Sequence, residues 1–234
     1  MLGFNCKELN KEVEESKENK SSSFGGGGSL DLVIIDYGAG NIQSIKFAIQ
    51  RLGFEAVLTS DVNQILAADK VIFPGVGEAS SAMAKLKASG LDNLIPKLKQ
   101  PVLGICLGMQ LMCNSSEEGN TKGLGIFDVD VVKFSNQVKV PQIGWNQITN
   151  LKSHLFEGIS ETEFIYMVHS FYAPLSENTV AISDYGIPYS AALQKNNFYG
   201  TQFHPEKSSV VGERILLNFL KLEIRNLGSR IKDI

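Results

Sequence analysis

The sequence predicts a three-layer α/β fold with a mainly parallel central sheet and a smaller antiparallel sheet. Three observations carry this expectation. Short, wholly apolar runs such as 32–35 and 102–105 read as strands buried on both faces. Stretches with apolar residues at helical spacing alternate with these runs, which is the order of βα units. Between Leu124 and Thr149 the pattern changes to alternation, as in Val129, Val131 and Phe134, which is antiparallel strand material.

Residues 1–29 stand apart from the rest. Lys7 to Lys20 holds four Lys and five Glu with only Leu9 and Val13 apolar, and a Ser/Gly-rich run follows to Ser29. That composition is a flexible, solvated tail, so the folded domain is expected over 30–234. Its first strand is 32–35. Gly38-Ala39-Gly40-Asn41 turns that strand into a helix over 41–52, which places Ile42, Ile45, Ala48 and Ile49 on one face. Asn41 suits the helix N-cap. The G-x-G here lacks the third glycine of a dinucleotide fingerprint, so NAD and FAD binding are rejected. A second strand is expected at 56–58, a short helix at 62–67 and a third strand at 71–73, ending in Pro74-Gly75-Val76-Gly77. A helical stretch over 79–98 breaks at Gly90, a strand follows at 102–105, and a helix starts over 107–112. Further strands are expected at 164–168, 180–183, 191–194 and 198–203. Ser208 or Ser209 then caps a last helix that buries Val211, Ile215, Phe219 and Leu222.

Bulk properties narrow the function. The chain has 234 residues, 43% hydrophobic and 20% charged, which suits one globular domain plus a tail. A net charge of −3 points to neither nucleic acid nor a membrane surface as partner. The apolar runs are strand-sized, so no membrane span is expected, and the charged start does not read as a signal peptide. Three cysteines, Cys6, Cys106 and Cys113, make no disulfide framework. A reducing cytoplasm fits them.

The chemistry concentrates at Cys106. It sits between an apolar strand and a helix, with Gly104 and Gly108 two residues to either side. That is a strand–nucleophile–helix elbow, G-x-C-x-G, the thiol counterpart of G-x-S-x-G. The turn is sharp, so its neighbours must lack bulk. The helix N-terminus beneath supplies free N–H groups and positive potential, which favour a thiolate. A buried core cysteine is the plain structural alternative. Phe203-His204-Pro205-Glu206 weighs against it, because it offers a base and a carboxylate to orient that base. Cys106, His204 and Glu206 make a nucleophile–base–orienter set. Beside the elbow, the loop after the third strand can turn an N–H toward a ligand. With the N–H of Leu107 this gives a candidate oxyanion hole from Gly75, Val76, Gly77 and Leu107. Glu117 and Glu118 read as a solvated pair. His169 has no carboxylate at fixed spacing and reads as a structural or interface histidine; His154 reads as surface.

Gly104-Ile105-Cys106-Leu107-Gly108-Met109-Gln110 together with the Phe203–Glu206 motif resembles the class I, triad-type glutamine amidotransferases. Asp36-Tyr37-Gly38-Ala39-Gly40-Asn41, Pro74-Gly75-Val76-Gly77, Pro141-Gln142-Ile143-Gly144-Trp145-Asn146 and His169-Ser170-Phe171 are similar to the glutaminase subunits of imidazole glycerol phosphate synthases, over residues 31–222. The resemblance implies a flavodoxin-like class I fold, no cofactor and no metal, and hydrolysis of L-glutamine to glutamate and ammonia. It implies that Gln110 holds the carboxylate end of glutamine and Glu118 its amino group, with Gly77, Ser170 and Phe171 completing the glutamine site. It puts Asn41, Trp145 and Asn146 at the interface with a (β/α)8-barrel cyclase. In that heterodimer the ammonia makes imidazole glycerol phosphate and an aminoimidazole carboxamide ribotide, in histidine biosynthesis. One departure stands out: Ala79 occupies a position where the family usually carries an aromatic residue.

Other functions stay open at the level of sequence. A class I glutaminase could serve anthranilate, guanylate or surface-sugar synthesis; the Asp36–Asn41 and Trp145–Asn146 segments speak against the first two only. A cysteine or ester hydrolase of α/β type is disfavoured by Gln110 and the Phe203–Glu206 motif, and a non-enzymatic partner protein by the intact set of three.

Overall fold

The structure, a computed structural model, describes residues 30–38 and 42–222. The expected tail 1–29 and Asn41 lie outside the described residues. In chain order the elements begin with β1 (Leu32–Ile35), α1 (Ile42–Arg51), β2 (Ala56–Thr59), α2 (Val62–Ala67), β3 (Lys70–Phe73), α3 (Ala79–Ser89) and α4 (Leu91–Leu94). They continue through β4 (Val102–Ile105), α5 (Leu107–Leu111), β5 (Cys113–Ser116), β6 (Thr121–Lys122), β7 (Phe127–Lys133), β8 (Gln142–Gln147) and β9 (Phe164–His169). The last are β10 (Phe171–Tyr172), β11 (Thr179–Asp184), β12 (Pro188–Lys195), β13 (Phe198–Thr201) and α6 (Ser209–Lys221).

Seven strands form the central sheet in the order β11-β12-β13-β4-β3-β1-β2. From β13 to β2 every neighbour is parallel, and β11, β12 and β13 pair antiparallel at one edge. β1 shows why its run is apolar at every position. Leu32 and Ile34 enter one core layer while Val33 and Ile35 enter the layer on the other face. β4 is divided the same way, with Leu103 and Ile105 on one side and Val102 on the other. A strand covered on both faces leaves no position for a polar side chain. The expected α/β class with a mainly parallel sheet is therefore present. The antiparallel material forms two small sheets instead of one: β8 with β9, and a mixed sheet β10-β7-β5-β6.

Three local differences from the sequence reading have physical causes. The helix expected over 107–112 stops at Leu111, and β5 follows at once. Carbonyls that would have continued the helix are taken by the returning chain: Leu124 N–H donates to Leu111 O, Ile126 to Met112 O and Gly125 to Cys113 O. The third strand starts one residue early, at Lys70, which is buried. Its ammonium donates to Leu222 O at 2.6 Å and so satisfies a carbonyl at the end of α6. Ser208 is buried but does not cap α6 with its side chain. Its hydroxyl donates to His204 O at 2.7 Å and accepts from Tyr166 N at 3.0 Å, tying the start of α6 to β9.

Candidate active site

The elbow between β4 and α5 is built by contact. A Cβ on Gly104 would stand 2.9 Å from Met109 N, and one on Gly108 would run into the Phe73 carbonyl. Neither position has room for a side chain. A Cβ on Gly75 would lie 2.5 Å from Gly108 N, so the loop after β3 packs directly on the N-terminus of α5. Cys106 itself has φ 53° and ψ −111°, a conformation a non-glycine residue holds only where its surroundings impose it. Its N–H donates to Thr201 O of β13 at 2.7 Å, and its carbonyl takes Gln110 N–H at 3.1 Å.

His204 follows β13 on the neighbouring strand end, which brings it over the elbow. Its Nδ1 meets Glu206 Oε1 at 2.8 Å, with the two side chains only 3% and 1% exposed. The ring lies beside Cys106, which bears on its charge. Burial works against charge on the ring. The hydrogen bonds and negative charges of Cys106 and Glu206 outweigh it and raise His204 from 6.5 to about 10. A folded-state value raised in this way adds stability that is fully present below about pH 6.5. That stability is lost as the pH climbs through about 10. Thermal midpoints of the wild type and Glu206→Gln should therefore differ most below pH 6.5 and converge toward pH 10. A gap that widened with pH would show that this proton does not hold the fold.

A cleft of about 270 Å³ opens over Cys106. Its lining includes Val76, Gly77, Leu107, Gln110, Glu118, Ser170, Phe171 and His204, together with Pro141, Val168 and His169. The chain thus gathers in one place nearly all the residues singled out for the triad, the oxyanion hole and the glutamine site. Gly75 is buried behind the wall, where it lets the loop approach α5. Cys113, 0% exposed, points its thiol at Met109 O, and burial pushes that thiol far up from its ordinary value. Cys113 is thus sealed in the core, while Cys106 lines the cleft.

A thiol that shares a cleft with an imidazole, itself oriented by a buried carboxylate, can open a carbonyl substrate through a covalent thioester. Residues 33–222 match the glutamine amidotransferase class-I family. The chain belongs to the class I glutamine amidotransferases. The curated relative named "Imidazole glycerol phosphate synthase subunit HisH" of Bacteroides fragilis is 60% identical over 196 residues, covering 82% of this chain and 100% of the relative. Proteins of the same name from Bacteroides thetaiotaomicron and Yersinia pseudotuberculosis are 58% and 45% identical over the same shares. Among solved structures, a glutamine amidotransferase aligns with TM-score 0.63 at 19% identity, covering 80% of this chain and 96% of that one. PurLQS from Thermotoga maritima aligns with TM-score 0.63 at 16% identity, covering 82% and 98%. These two likenesses concern the fold.

Two of the side chains singled out for glutamine binding and the interface are hydrogen-bonded within the chain. Gln110 is buried, and its Nε2 donates to Phe171 O and to Gln202 Oε1, both at 2.9 Å. Both amide protons are engaged within the chain, to Phe171 O and Gln202 Oε1. Asn146 is half-buried, and its amide donates to Asp184 O and accepts from Gln147 N–H, both at 2.8 Å. These bonds fasten the β8–β9 hairpin to β11. Trp145 is 53% exposed, beside Ile143 at 62% and Phe164 at 52%.

Two contributors escaped the sequence reading. Gln202 is fully buried and joins Gln110 to the nucleophile, its Nε2 lying 3.8 Å from Cys106 Sγ. Its only signal was an amide next to the His204 motif at the end of an apolar strand. His169 is also part of the cleft wall. Its Nδ1 bonds Phe171 O at 2.8 Å, and burial lowers the ring to about 4, so it stays neutral.

No cluster of three or more His, Cys, Asp or Glu able to hold a metal occurs among the described residues. No helix among them is long and apolar enough to cross a membrane.

Proposed function

We propose that the chain is the glutaminase subunit of an imidazole glycerol phosphate synthase, releasing ammonia from L-glutamine for a cyclase. The observation that carries the reading is the buried Cys106, His204 and Glu206 set beneath the cleft, in a chain 60% identical to a relative bearing that name. His204 takes the thiol proton of Cys106, whose sulfur attacks the side-chain amide of glutamine while N–H groups of Leu107 and of the Val76–Gly77 loop hold the tetrahedral oxyanion. His204 gives its proton to the departing nitrogen as the C–N bond breaks, and ammonia leaves. Water, deprotonated by His204, then splits the glutamyl thioester to glutamate and regenerates the thiol. Glu206 keeps the imidazole in one tautomer and stabilises its charged form. Gln110 Oε1 and the Glu118 carboxylate, which already accepts from Ala79 N–H at 2.8 Å, receive the α-ammonium of the substrate. Backbone N–H groups at Gly77, Ser170 and Phe171 receive its carboxylate.

The partner in this reading is a (β/α)8-barrel cyclase that joins ammonia to a phosphoribulosyl imidazole carboxamide. The products are imidazole glycerol phosphate and aminoimidazole carboxamide ribotide, in cytoplasmic histidine biosynthesis. The β8–β9 hairpin supplies an apolar docking face, with Trp145 packed edge-on to Tyr166 at 6.0 Å. That face continues to Val168, whose carbonyl lies 3.9 Å from Cys106 Sγ, so ammonia would leave beside the partner. The test supplies glutamine labelled at the amide nitrogen to this chain, its cyclase and the acceptor. Label is expected in imidazole glycerol phosphate; label found only as free ammonia, with unlabelled product, would reject the assignment.

A further inference from the structure

Tyr37 leaves β1 and is buried, its ring 5.5 Å from that of Phe73 at the end of β3. Its hydroxyl donates to Pro74 O at 2.8 Å. The Pro74 carbonyl and the Gly75 N–H share one planar peptide unit, so fixing the direction of one fixes the other. Burial, and next the charge at Cys106, hold the phenol well above its ordinary value, so it stays a donor through the working pH range. The far end of the same loop is also held. Ala79 N–H donates to Glu118 Oε2 at 2.8 Å, and Glu78 accepts from Ser80 N and Ser81 N at the start of α3. Between these anchors only Val76 and Gly77 face the cleft, with Gly77 exposed and at φ 99°. The segment bearing Tyr37 is itself tied to α3, because Lys85 Nζ donates to Gly38 O at 2.9 Å.

We infer that Tyr37 is a positioning residue for glutamine hydrolysis: its hydroxyl fixes the Pro74 end of the loop so that the Val76–Gly77 backbone stays directed at the space above Cys106. This rests on the proposed glutaminase reading, in which that backbone binds the oxyanion. Tyr37 touches neither substrate nor nucleophile in this account. Without its hydroxyl the loop keeps its length and its Glu118 anchor but loses one fixed end.

The test compares wild type with Tyr37→Phe, each assayed with the cyclase partner for glutamate formation. The variant is expected to lose about tenfold in kcat with KM changed by less than about twofold, as for an interaction made in the transition state. A second readout follows iodoacetamide alkylation at the peptide carrying Cys106. That reaction displaces iodide at a saturated carbon and forms no oxyanion, so its rate should match wild type. Unchanged kcat would overturn the inference. So would equal falls in kcat and alkylation rate, because a general distortion of the elbow moves both. Lys85→Met, an exposed change that loosens the same segment, carries the test with a smaller fall if Tyr37→Phe does not fold. Failure of the underlying glutaminase reading would appear instead in the wild type, as an absence of glutamate.

Discussion

Cys106→Ala is expected to abolish glutamine-dependent ammonia release and leave the fold in place. The sulfur is the only atom removed. Its contacts with Gln202 Nε2 and Val168 O are long, at 3.8 and 3.9 Å, so little hydrogen bonding is lost with it. The backbone bonds to Thr201 O and from Gln110 N, which hold the elbow, are untouched. Loss of a nucleophile that acts as a unit with its base typically costs far more than a hundredfold in kcat, roughly a millionfold in the best-studied hydrolase case. Residual glutamate formation above about a hundredth of wild type would sink the nucleophile assignment. The cyclase, supplied with ammonium salts, should run normally beside the inactive variant, since the substitution removes the source of ammonia and not its use. Cys113→Ala is the control. That thiol is sealed in the core against Met109 O, so glutaminase activity should survive its loss. If both variants were equally dead, the elbow would be misplaced.

How far the sequence could be read depended on what each residue type leaves undetermined. β1 and β4 were legible because burial on two faces demands apolar residues throughout, and little else produces such runs at strand length. The elbow was legible because Gly104 and Gly108 answer to hard contacts with Met109, Met112 and Phe73, which no side chain could satisfy. β5 was hidden. Its Cys-Asn-Ser-Ser composition favours no element, and what makes it a strand is pairing with β7 and β6, which only the folded chain supplies. Amide side chains were hidden for another reason. Gln110 and Gln202 were visible as residues, but their partners come from β13, β10 and the elbow, far apart in sequence. The direction in which Gln110 offers its oxygen therefore could not be read from its place four residues past Cys106. Asn146 and Trp145 share a motif, yet strand alternation sends one to β11 and the other outward.

The isolated chain is expected to hydrolyse glutamine slowly, and a cyclase carrying its nucleotide ligand should accelerate it by roughly a hundred- to a thousand-fold, or about 3–4 kcal/mol of barrier. Free ammonia released without an acceptor is lost to the pathway, so a slow resting state has a chemical motive. The structural motive is the short loop between the Tyr37 and Glu118 anchors, whose Gly77 is exposed at φ 99° and has open space where a Cβ would stand. Turning one peptide there would complete or remove an oxyanion donor, and such a donor is worth about 2.7–4 kcal/mol, the size of the expected gain. A ligand on the partner can supply that bias only through a difference in affinity between the two loop states. The contact that transmits it must pass through the docking face. Trp145 is the large aromatic at its centre, paired with Tyr166 on the strand that leads to Val168 and the cleft. Trp145→Ala should therefore cut the stimulated rate much more than the basal one, since the residue is 53% exposed and carries little of the lone chain's stability. The measurement is steady-state glutamate formation with and without cyclase and its ligand, for wild type and Trp145→Ala. Full activity of the chain alone, or stimulation that ignores Trp145, would reject coupling through this face and favour a free-standing glutaminase.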